Sequence, residues 1–204
     1  MEAKGGESGP STKMIRSVDT LKELYTVAVG VALVMAVEKL ANAAEKEPVF
    51  RTEQFFLFVV VIVTLIPFYH GAFRHMDDIY IFPKEPAKRP GPLVLLGDYL
   101  VLMFEAGLLV WLATSISDRA IFADGFLLLL LVDICWAVAT AIFTPAGFDV
   151  VWWGVVNLIT LLLLLALWYW PGDMLINGFH LMLIATARSV ADYVLSRKLY
   201  FPED

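Results

Sequence analysis

Apolar residues in this chain come in long blocks rather than alternating with polar ones. Six blocks, at about 21–43, 54–76, 93–115, 120–143, 149–170 and 174–196, each supply the ~20 residues a helix needs to cross a bilayer's hydrocarbon core. Turn-forming residues fall between the later ones: Ser117 and Asp118, then Thr144-Pro-Ala-Gly, then Pro171-Gly172-Asp173. The pattern predicts an all-α integral membrane protein, a bundle of six transmembrane helices over residues 17–198. A polar, Gly- and Ser-rich tail at 1–16 is expected to be disordered and lacks the early apolar run of a signal peptide, and 199–204 forms a short C-terminal end.

Local signals refine these elements. Thr20 and Glu23 have capping-box spacing and predict the start of the first helix. Ala28, Ala32 and Ala36 give that helix a small-residue face for close packing. In the second block Pro67 removes a helix hydrogen bond and Gly71 follows four residues later, which predicts a kink and unpaired carbonyls. Pro83, Pro86, Pro90 and Pro92 make 79–92 a stiff connector, or else a docking segment for a protein partner. Trp152 and Trp153 open the fifth block and Trp168, Tyr169 and Trp170 close it. At 1.5 Å per residue the two groups stand roughly 25 Å apart, the spacing of interfacial aromatic belts.

Composition changes the picture from "helical" to "embedded". Hydrophobic residues make up 59% of the 204 and the mean hydropathy is +0.73, so the lipid bilayer is the expected surrounding, as a multi-pass protein of a plasma or inner membrane. The net charge of −6 argues against nucleic acid, and the single Cys135 excludes an internal disulfide. With six helices, 11 of the 15 Lys and Arg residues fall on the side of the termini, and only Lys39, Lys46, Arg51 and Arg119 on the other. The positive-inside rule then puts both termini in the cytosol.

Ionisable residues at membrane depth are costly, so they are the candidates for function. Counting helical rise from the cytosolic ends puts Asp98 roughly 7 Å in, Asn157 and Arg188 roughly 12 Å, Asp133 roughly 15 Å, Glu105 roughly 18 Å and His180 roughly 24 Å. Arg188 can neutralise only one of the two acids near its level. The other needs water, a cation or a proton. Glu105, Asp133 and Arg188 are therefore the candidate ion- or proton-binding groups, with Asn157 as a neutral oxygen ligand. His70, Arg74, Asp98 and Asp192 are candidates for the cytosolic mouth, and Arg74, His75, Asp77 and Asp78 read as a solvated helix end. His180, Ile184, Arg188 and Asp192 recur every four residues, a face that points inward.

Other chemistries lack their parts. No Gly-x-Ser-x-Gly elbow is present, and Cys135 is flanked by apolar residues. His70 and His75 lie about 140° apart around a helix and cannot share a metal, so neither a metal nor another cofactor is expected. The leading expectation is a proton- or cation-coupled transporter or channel, expected as a homo-oligomer because six short helices enclose little volume. One alternative is a non-enzymatic membrane interaction or effector protein whose buried polar groups are structural. Another is a lipid-headgroup-modifying enzyme built on His70, Arg74, His75, Asp77 and Asp98.

Overall fold

The computed structural model describes residues 10–45, 48–83, 89–144, 148–169 and 177–201. They form α1 (Thr12–Ala44), α2 (Glu53–Met76), α3 (Pro92–Thr114), α4 (Arg119–Phe143), α5 (Phe148–Tyr169), α6 (Gly178–Leu195) and a single turn, α7 (Arg197–Tyr200), with no strand among the described residues. Five of these, α1 to α5, are long and apolar enough to cross a membrane. α6 is an 18-residue helix that carries His180, Arg188 and Asp192 and falls outside that group.

α1 begins earlier than the Thr20–Glu23 pair predicts. Ser11 is its cap, with its hydroxyl accepting from the Met14 N–H at 3.2 Å. The extra turns follow from packing: Val18, Leu21, Tyr25, Val29, Ala32 and Ala36 form one buried stripe at three- and four-residue spacing, so Thr20 and Glu23 lie exposed inside a continuous helix. Residues 12–16, predicted as tail, are helical; residues 1–9 lie outside the described set. Of the predicted small-residue face, Ala32 and Ala36 are fully buried and Ala28 half-buried.

The proline in α2 behaves as a proline should. It denies the Val63 carbonyl its helical donor, and the Ser189 hydroxyl of α6 supplies one at 2.6 Å. α2 then runs on past Met76 into a widened turn, Asp77–Ile81, closed by the Phe82 N–H on the Asp77 carbonyl at 2.7 Å. The connector is thus shorter than 79–92, and residues 84–88 lie outside the described set.

The helices pack as a ring in the order α1, α3, α4, α5, α6, α2 and back to α1, with α2 also touching α3. Ion pairs and caps define its two ends. At the near end Lys22 of α1 pairs with Asp77 after α2, and Tyr200 of α7 packs against α2. At the far end the Glu53 carboxylate takes the Arg119 guanidinium at 3.2 Å and the Gly178 N–H at 3.0 Å, tying the starts of α2, α4 and α6 together. The first turns of α1 and the last of α6 therefore share one end.

Trp153 is not a belt residue. It is buried, edge-on to Trp136 at 5.1 Å and to Phe68 at 6.2 Å, while its neighbour Trp152 faces outward. Trp168 is half-buried, and the side chains of Tyr169 and Trp170 lie outside the described set. Next to Trp153, Gly154 lets α5 approach α4 closely: a Cβ there would stand 3.0 Å from that of Ala137. Gly154→Val should therefore force the pair apart and cost ~1–3 kcal/mol in denaturant titration of the detergent-solubilised protein. A neutral result would mean that the α4–α5 contact is slack.

Candidate functional site

Each of the six long helices sends a polar side chain into the ring. Tyr25 comes from α1, Thr64 from α2, Glu105 from α3, Asp133 from α4, Asn157 from α5, and Arg188 with Asp192 from α6; all are buried. The contacts form one chain. Glu105 and Asp133 lie with their buried carboxyl groups within interaction distance of each other. The Asn157 amide nitrogen donates to Asp133, and its oxygen accepts from the Arg188 Nε at 2.7 Å. Arg188 Nη2 lies 3.9 Å from Asp192, and the Tyr200 hydroxyl donates to the same Asp192 oxygen at 2.8 Å. The guanidinium also sits 4.8 Å over the Phe68 ring, a further stabilising contact for a buried cation.

Asn157 bridges an acid to a base, its amide nitrogen on Asp133 and its oxygen on Arg188. Asp192, a candidate for the mouth, is fully enclosed. Arg188 pairs with it directly and reaches Asp133 only through Asn157, so three carboxyl groups, not two, surround one guanidinium. His180, on the same four-residue recurrence, is exposed because the face drifts around α6.

Several polar atoms in this core have no hydrogen-bond partner among the described residues: Tyr25 Oη, Thr64 Oγ1, Glu105 Oε1, Asp133 Oδ1, Asp192 Oδ1 and both Arg188 Nη atoms. Unpaired buried polar atoms are rare in folded proteins and mark places where something else completes the bonding. Among the described residues no three His, Cys, Asp or Glu side chains are grouped to hold a metal ion.

A second polar cluster occupies the near end between α2, α3 and α4. Asp98 accepts from the Tyr80 hydroxyl at 2.7 Å and the Trp136 indole N–H at 2.8 Å, and His75 Nε2 lies 3.4 Å away. A groove of about 330 Å³ between α3 and α4, walled by Leu93, Val101 and Phe143, reaches Asp98 from outside. His75, expected at a solvated helix end, is thus buried. The widened turn after Met76 is what swings Tyr80 inward to share its acid.

The four mouth candidates separate. His70 faces α6 and α7, its Nδ1 3.3 Å from the Tyr193 hydroxyl and its ring 5.0 Å from that of Tyr200. Asp98 faces the opposite side of α2 with His75, as the 140° between the two histidines requires. Arg74 stays at the half-exposed end of α2, 3.5 Å from Asp78. Tyr200, unforeseen in the sequence, joins His70 to Asp192. Burial, and after it the Asp192 charge, holds its phenol far above the ordinary range, so it remains an O–H donor.

No protein-family model, curated protein or solved structure matches this chain.

Proposed function

We propose that the protein spans its membrane with all six long helices, termini in the cytosol, and moves protons through the buried acid chain as a proton-coupled transporter or channel. The observation that carries this reading is the pair of carboxyl groups, Glu105 and Asp133, buried close together. Two adjacent buried carboxylates repel, and holding one proton between them relieves the pair. Two acids sharing a proton beside a third acid and a single base form a group that can take up and release one. α6 suits a sixth span despite its charges: its 18 residues rise ~27 Å, and Arg188 and Asp192 face the ring and not lipid. The cluster lies within one chain, so the reading requires no second copy.

The test is proton uptake by proteoliposomes under an imposed membrane potential, read with a trapped pH dye. The wild-type protein should move protons above the empty-vesicle rate, and Glu105→Gln and Asp133→Asn should each return it to background. Undiminished uptake in both variants would remove the assignment. The interaction-protein reading is favoured by one observation, that Asn157 ties α4, α5 and α6 through two directed bonds. It predicts that the same variants lose thermal stability while no form of the protein moves protons.

A further inference from the structure

We infer that Tyr200 is the group through which the buried acid chain meets the surface, and that α7 is a lid carrying it. Asp192 has no exposure of its own. Its outward neighbours are Ser196 and Tyr200, both at the α6–α7 junction, and both hydrogen-bond it. Around Tyr200 the side chains of Arg197, Lys198 and Phe201 are exposed, so this turn lies at the described surface.

The construction of α7 favours opening. Four residues are too few to hold a helix unaided, so the turn depends on where its buried Tyr200 side chain sits. That seat is aromatic. The Tyr200 ring lies 4.4 Å from Tyr193 and 5.0 Å from His70, and Gly71 of α2 lies beside it, where a Cβ would meet the Tyr200 oxygen in van der Waals contact at 3.4 Å. The hydroxyl has two acceptors in reach, Asp192 at 2.8 Å and the Pro67 carbonyl at 3.4 Å. With one hydrogen it serves one at a time. Facing Asp192 with the turn open, it can pass its hydrogen to the carboxylate as its oxygen takes another from solvent; turned to Pro67, it is uncoupled from Asp192 and the chain is closed. Small elements held by few contacts open at low cost, which suits this role.

The relay half of this inference rests on the proton reading above; the lid half does not. The experiment separates them by labelling the full-length protein in lipid nanodiscs with a water-soluble carbodiimide and glycine ethyl ester, and following Asp192 and Asp98 by peptide mass spectrometry. Wild-type Asp192 should be protected. Tyr200→Ala should raise its labelling by about 10-fold or more while Asp98, across α2, keeps its wild-type labelling, as local opening predicts. Tyr200→Phe keeps the ring and should keep the protection, but should slow proton uptake in proteoliposomes. Labelling of Asp192 at the wild-type rate in Tyr200→Ala, or a parallel rise at Asp98, overturns the lid. Full-rate uptake by Tyr200→Phe overturns the relay. Exposure of Asp192 in Tyr200→Ala with no uptake by any form, wild type included, supports the lid and overturns the proton reading.

Discussion

Replacing Arg188 by Met should cost the bundle about 3–5 kcal/mol, because it strips the counter-charge from buried acids and leaves their shape and packing otherwise intact. Asp192 loses its ion-pair partner, Asn157 loses the donor to its oxygen, and Phe68 loses the cation over its ring. Removing Asp192 as well, as Arg188→Met with Asp192→Asn, should return part of that loss, since residues in one network do not add independently. Denaturant titration in detergent measures both. A single-variant loss below about 1 kcal/mol would mean that the guanidinium is solvated and the core is wet, contrary to its burial.

The second large effect is at Asp98. Asp98→Leu strands the Tyr80 hydroxyl and the Trp136 indole N–H in an apolar setting and takes the acid from beside His75. Hydrogen bonds to a charged group are worth ~1.5–3 kcal/mol each in water-soluble proteins, and interhelical ones in membranes average less, so the combined loss should be ~2–4 kcal/mol. Asp98→Asn keeps one acceptor oxygen and should fall in between. Amide exchange should show the damage confined to the turn at Asp77–Ile81 and the first turns of α3. Destabilisation spread evenly over all helices would contradict a local role for this cluster.

The elements were legible in the sequence because lipid imposes a length and a composition that few other settings do. The start of α1 was not: the Thr20–Glu23 box is a local signal, and the burial of Val18 and Leu21 against other helices overrides it. Glu105, Asp133 and Arg188 could be picked out because charge inside a bilayer is conspicuous, and the structure brings them into one chain. How they connect was hidden. Depth counting fixes height along a helix but not direction around it, so the links from Asn157 to Asp133 and Arg188 are invisible to it. For the same reason it leaves His75 at a solvated end, where the widened turn instead brings Tyr80 to Asp98 and His75 is buried. Trp136 carried a faint signal, since an indole N–H in mid-helix needs an acceptor. For Tyr200, a tyrosine near the chain's end, there was none.

Pro67 leaves a last consequence. The carbonyl it frees is met by a serine hydroxyl on a different helix, at one height only. A slide of α6 along α2 by even a single turn would strand that oxygen in an apolar interior. That bond holds the two helices in register, so relative sliding in the bundle costs more inside this pair than between it and the other four.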